Sequence, residues 1–140
     1  MLSWVKNGLI LTVVLSLLWI FAPTHLSQGR LEVIPQITER TKATANEKRN
    51  NKRIAREYSK ALGYTKRETA CLITLWTRES RFDHLAKNQQ GSSAYGIAQL
   101  LRERSSRPEL QVLHGLRYLS HRYFGSACRA LRHSDRRGWY

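Results

Sequence analysis

One acidic side chain stands where chemistry could be done. Thr65 and Glu68 have the spacing of a capping box, the sequence sign of a helix start. Leu72, Leu75, Trp76 and Glu79 then recur at i, i+3, i+4 and i+7, one face of that helix. An apolar stripe that runs into a carboxylate is a local inconsistency, and such breaks are expected at functional sites. Desolvation beside Leu75 and Trp76 disfavours the charged form of Glu79. The partial negative charge at a helix C-terminus acts in the same direction. Helical spacing points Arg78 and Arg81 to other faces. Glu79 is therefore expected to be partly protonated near neutral pH, the state a general acid needs. The same spacing also fits a surface Glu at a helix end paired with an Arg.

The elements that must hold this residue are helical. Ile54, Tyr58, Ala61 and Leu62 follow helical spacing, with Gly63 as the C-cap. Lys48, Arg49, Lys52, Arg53, Arg56 and Lys60 cover the other faces of that first helix. After Glu79, residues 82–90 read as a loop, and Asn88 to Ser93 are turn formers. Ser106-Arg107-Pro108-Glu109 opens the next helix as a capping pattern. Its expected buried stripe is Val112, Leu116, Leu119 and Tyr123, with Gly115 permitting close packing. Tyr118 lies off that stripe. Gly125 ends the helix, and Ser126 caps a short last helix through His133. Trp139 and Tyr140 either stack on a ligand or plug the core, and the core is the expectation for Trp139.

An ordered set of short motifs resembles a known family. The Glu79-Ser80 pair, Phe82, Ala86, Asn88 and then Ser93-Ala94-Tyr95-Gly96-Ile97-Ala98-Gln99 are similar to the lysozyme-like lytic transglycosylases of the soluble-transglycosylase type. With Leu75-Trp76-Thr77-Arg78 and the closing Gly138-Trp139-Tyr140, the chain resembles a compact form found in phage cell-wall-degrading proteins. The resemblance covers about residues 50–140. It implies a small all-α lysozyme-like domain over residues 46–140, with Glu79 as the catalytic acid. It also implies that Ser80 helps position Glu79, that Gln99 offers an amide to the sugar chain, and that Tyr95, Tyr118 and Tyr140 belong to the substrate site. One departure stands out. Relatives carry a Tyr in the last helix that bonds the catalytic Glu, whereas this chain reads Ala130-Leu131-Arg132-His133. Either Tyr118 or Tyr140 substitutes, or that support is missing.

The resemblance also implies a mechanism that suits a site with few acids. Ordinary glycosidases use two carboxylates. Asp83, Glu103 and Glu109 are the nearby alternatives, each with a structural explanation of its own. A lytic transglycosylase works with one Glu. It protonates the glycosidic oxygen between N-acetylmuramic acid and N-acetylglucosamine, then takes a proton from the 6-hydroxyl as a 1,6-anhydro ring closes. Two rivals remain: a hydrolytic muramidase on the same fold, and a catalytically inactive basic membrane-anchored virion protein that contacts nucleic acid.

The rest of the chain bears on location and partners. Residues 1–29 carry Lys6 as their one charged side chain and an apolar run from Gly8 to Ala22. That run is short of the about 20 residues a bilayer span takes, but extension to Trp4 nearly reaches it. A transmembrane anchor through residues 4–22 is expected, with a cleaved signal peptide as the rival. The basic residues beyond the run, Arg30, Arg40 and Lys42, oppose export under the positive-inside rule. Residues 30–45 read as a linker. The expected location is membrane-anchored, with the domain acting in the periplasm or cell wall, or a phage virion.

The net charge of +14 calls for an acidic partner. Peptidoglycan with its associated polymers is the expected one, with acidic polymer or nucleic acid at the basic 48–67 segment as the sharper alternative. Cys71 and Cys128 either pair, closing a long loop, or remain buried thiols. The His residues show no metal-ligand spacing, so no metal and no cofactor are expected.

Overall fold

Caps decide where the helices begin. The structure, a computed structural model, describes residues 39–140. Helix α1 is Ala45–Ala61, and its start is a complete capping box between Thr44 and Glu47. Arg40 adds a pair to Glu47 at 2.9 Å, and Ala43 is buried. The folded unit thus reaches back into the stretch read from sequence as linker. Helix α2 is Lys66–Glu79 with Thr65 as its N-cap. Helix α3 is Pro108–Tyr123, and helix α4 is Ala127–Arg137, capped by the Ser126 hydroxyl.

Between α2 and α3 the all-α expectation needs correction. Ala94–Tyr95 (β1) and Leu100–Leu101 (β2) form an antiparallel pair, Ala94 opposite Leu101 and Tyr95 opposite Leu100. Strands of two residues leave no alternation to read, so the sequence shows only turn formers there.

The core is built around Trp76, which is fully buried with Leu72 and Leu75 on the same face of α2. Gly115 of α3 lies flat against it, since a Cβ there would stand 2.6 Å from Trp76 Cζ2. Phe82 meets the indole edge-on at 6.4 Å. Val112, Leu116, Leu119 and Tyr123 form the buried stripe of α3, as their spacing predicts. In α1 the stripe is different from the expected one. Ile54 and Ala55 are buried together with the polar Asn51 and Ser59, whereas Ala61 and Leu62 are exposed. Those last two sit where the helix runs out beyond the core, with Gly63 turning the chain at φ 79°.

Three residue clusters tie α2 to α4 and its N-cap. Cys71 and Cys128 form a disulfide with Cα atoms 5.0 Å apart. Arg78 pairs with Asp135. The third involves Glu68. Thr65 accepts its N–H, as the capping pattern predicts, but the Glu68 carboxylate does not return the bond. It accepts instead from the Cys128 N–H at 2.9 Å and the Ser126 hydroxyl at 3.0 Å. A carboxylate at a helix N-terminus satisfies an orphan donor and meets the positive end of the dipole. A second correction concerns α3. Its N-cap is Arg107, with no side-chain bond, and Pro108 supplies the start by fixed φ at the first helical position.

The expected membrane anchor lies outside the described residues. Among the described residues, no helix is long and apolar enough to cross a membrane.

Candidate active site

Glu79 is the last residue of α2, and the chain turns sharply after it. Arg81 and Phe82 both adopt left-handed backbone, φ 55° and 62°, which drives Phe82 back under Trp76. Such a conformation is uncommon for non-glycine residues and persists only where neighbours hold it. Several do. Asn51 Nδ2 donates to the Phe82 carbonyl at 2.9 Å. Asp83, 4 % exposed, accepts from the N–H groups of Ala43 and Leu85, both at 3.0 Å, and pairs with Lys48 at 3.0 Å. Burial alone would raise the Asp83 pKa, but these bonds outweigh it and hold the carboxyl below its ordinary value.

A second polar anchor fixes the segment across from Glu79. The buried Gln111 of α3 accepts the Ile97 N–H at 2.9 Å. Its Nε2 donates to the carbonyls of His84 at 2.9 Å and Ser105 at 2.6 Å. Gly96 packs on this amide at φ 78°, where any Cβ would collide with it. The Ser80 hydroxyl donates to the Ile97 carbonyl at 2.7 Å, tying the end of α2 to the same segment.

Glu79 itself is half-buried, and among the described residues its carboxyl has no hydrogen-bond or ion-pair partner. Burial raises its pKa. It lines a cavity of about 410 Å³ together with Asn88, Ser92, Ala94, Leu101, Trp139 and Tyr140 among others. An adjoining cavity of about 400 Å³ shares Gln99, Leu101, Trp139 and Tyr140 and adds Tyr118 and Arg122. Together they form one cleft, and among the described residues Glu79 is the only acidic side chain that lines it. Of the three other nearby acids, Glu109 lies in the first turn of α3 and lines neither cavity, and the other two are committed elsewhere. Asp83 is bonded as above. Glu103 accepts from the Ser105 and Arg104 N–H groups and meets His114 Nδ1 at 2.7 Å, which together outweigh burial and lower its pKa. A further hollow of about 710 Å³ between α1 and α2 carries Arg56, Lys60 and Lys66 but no acid, on a face of α2 away from the Glu79 stripe.

Each residue expected at the site can now be placed. Tyr118, Gln99 and Tyr140 line the cleft with Glu79 or beside it. The Gln99 amide donates to the carbonyls of Ala86 at 3.1 Å and Gly96 at 2.9 Å, so its carbonyl oxygen is the end left to face the cleft. The Ser80 hydroxyl is taken by Ile97. Tyr95 does not line the cleft. Its strand neighbour Ala94 does, and alternation along a strand turns Tyr95 the other way. Tyr140 lines the same cavity as Glu79, but its hydroxyl donates to the Ala98 carbonyl at 2.6 Å and accepts from Trp76 Nε1 at 3.1 Å. Burial, then the nearby Glu79 charge, raises the Tyr140 pKa well above its ordinary value. Trp139, expected in the core, is 49 % exposed at the cleft, because Gly138 turns the chain off α4 at φ 76° before the ring can reach inside.

Sequence reasoning missed Gln111, Asn51 and Lys48 as supports of the site. The signal was present for two of them. Gln111 and Asn51 are polar residues at buried positions beside apolar ones on their helix faces, the same kind of break that singled out Glu79.

Residues 49–114 match the family model described as phage tail lysozyme. The match runs from within α1 through the first part of α3 and contains Glu79, but not Trp139 or Tyr140. It spans just under half of the chain. It supports a lysozyme-like phage cell-wall-degrading protein, a glycan-cleaving enzyme with peptidoglycan as its substrate. The expected membrane and nucleic-acid contacts find no support in it. No curated protein and no solved structure matches the chain.

Proposed function

We propose that this protein cuts peptidoglycan glycan strands without consuming water, with Glu79 as the single acid and base. The observation that carries the reading is that Glu79 alone among the acidic side chains of the described residues lines the cleft, with a raised pKa. A protonated Glu79 gives its proton to the glycosidic oxygen between N-acetylmuramic acid and N-acetylglucosamine. The C–O bond breaks as the N-acetyl group of the muramic acid supports the electron-poor carbon. The Glu79 carboxylate then takes the proton of the 6-hydroxyl, whose oxygen closes onto that carbon as a 1,6-anhydro ring. Glu79 ends as it began, protonated. A hydrolase of this fold needs a second group to hold water. Asp83 and Glu103 are poor candidates, since both are bonded away from the cleft with lowered pKa values.

The match to a phage tail lysozyme family suits a virion component that opens the wall during infection. Mass spectrometry of purified peptidoglycan digested by the full chain tests the chemistry. Anhydro-muropeptides from the parent and none from Glu79→Gln are the expected result. Reducing ends would mean hydrolysis. Absence of any product from the folded parent would refute the enzyme reading and favour an inactive basic virion protein.

A further inference from the structure

The cleft continues past Glu79 into a second cavity that the one-acid chemistry leaves without a role. Three observations there point to a ligand. The first is Trp139. Its half-exposed indole lines both cavities and so stands at their junction. The ring is also held in place: His133 meets it edge-on at 4.5 Å, and the Arg122 guanidinium lies over it at 5.4 Å. The second is Leu101, 70 % exposed and lining both cavities as well. A fixed indole face and an exposed aliphatic side chain present apolar surface of the kind that the C–H face of a pyranose ring covers. The third is Arg122. It lines the second cavity and has no carboxylate within ion-pair distance among the described residues. The sugar rings of a glycan strand are uncharged, and its anionic groups sit on the arm that carries the stem peptide.

We propose that Trp139 is the stacking platform for a second sugar, one cavity along from Glu79, and that Arg122 recognises a carboxylate on the peptide-bearing arm of the strand. The inference rests on the glycan-cleaving reading above. It makes Trp139 and Arg122 specificity residues that touch substrate away from the broken bond. The platform explains why the Trp139 ring is braced from two sides without being buried. It also gives the enzyme a preference for strands that keep their stem peptides over strands in which those carboxylates are neutralised.

Binding separates this from the catalytic claim. The probe is soluble peptidoglycan fragments with stem peptides, compared with the same fragments whose stem carboxylates are converted to methyl amides. The full chain carrying Glu79→Gln is titrated with each, and tryptophan emission reports the contact. Trp139 is half exposed whereas Trp76 is fully buried, and Trp4 and Trp19 are common to every variant, so the expected signal is a blue shift that Trp139→Phe removes while keeping most of the affinity. Trp139→Ala is expected to weaken binding about tenfold, equivalent to about 1.4 kcal/mol. In the cleaving parent background the same change should raise KM with little effect on kcat, the mark of a contact made equally in ground and transition states. Arg122→Gln should erase the preference for peptide-bearing over amidated fragments, and Arg122→Lys should restore part of it. Trp139→Ala and Arg122→Gln chains that bind both probes as the parent does would overturn the platform, as would a Glu79→Gln chain that binds neither. A parent that binds as described but cleaves nothing would instead overturn the catalytic reading and leave the platform standing.

Discussion

Gln111→Met removes the side-chain amide that fixes the site's far wall and keeps nearly the same length. In the parent, Gln111 satisfies three backbone groups: the Ile97 N–H and the carbonyls of His84 and Ser105. The first two bonds are buried and the third is partly so. Each buried group left without a partner costs about 1–3 kcal/mol. Two fully buried orphans therefore cost about 2–6 kcal/mol, and the added apolar contact of the methionine offsets about 1 kcal/mol of this. The expected net loss is about 3 kcal/mol, or about two orders of magnitude in the folding equilibrium. Urea unfolding should show a midpoint lowered by more than about 1 M, given a slope of about 1–3 kcal/mol per M. Amide exchange at Ile97 should rise by more than the global loss allows, because its own acceptor is gone. A variant within about 0.5 kcal/mol of the parent, with unchanged exchange at Ile97, would refute the claim that this amide holds the segment facing Glu79.

The remaining predictions concern charge and crosslinks. The Glu79 pKa is raised in the folded state, so its stabilising contribution is greatest below the ordinary value near 4.3 and is lost as pH rises through the folded pKa. Glu79→Gln should therefore melt higher than the parent at pH 7, with the gap closing near pH 4, while cleavage is abolished; a lower melting point at pH 7 would contradict the burial argument. Parent cleavage should fall on the alkaline side of a pH profile with an apparent pKa above the ordinary glutamate value, and a limb at the ordinary value would count against a desolvated acid. Asp83 has the opposite sign: its lowered pKa gives stability that is present above about 3.9 and is lost as pH falls through the folded pKa. Asp83→Asn should cost about 2 kcal/mol at pH 7, measured by denaturant, and flatten the acid limb of the stability curve. Reduction of Cys71–Cys128, which spans 57 residues, should cost about 4 kcal/mol in the chain-entropy model, read from the unfolding midpoint with and without a thiol reductant.

Legibility in the sequence followed the range of the interaction. Local patterns read correctly: the Thr65 cap, the Leu72–Leu75–Trp76 face, the α3 stripe from Val112 to Tyr123 and the Ser126 cap. What failed was the choice among partners that only the fold supplies. Glu68 had a capping role three residues away and another at the start of α4, and no local rule ranks the second above the first. Ser106 looked like a cap, but Pro108 sets the helix start without one. Ala61 and Leu62 continued an apolar period past the point where α1 has anything to pack on. The residue expected to do chemistry was visible because it interrupts a stripe. Its supports Asn51 and Gln111 interrupt stripes too, but amides give less warning than a carboxylate.

The closing wall of the cleft has a consequence for the order of manufacture. Trp76 must wait for Tyr140, 64 positions later, before its indole N–H gains the hydroxyl it bonds. At a synthesis rate of about 5–20 residues per second that delay lasts about 3–13 s. Throughout it, the half of the cleft carrying Glu79 exists as sequence but not as an enclosure. The nascent chain thus holds one wall of the cleft without the other, and the enclosure is complete only after α4 and the residues beyond it have docked.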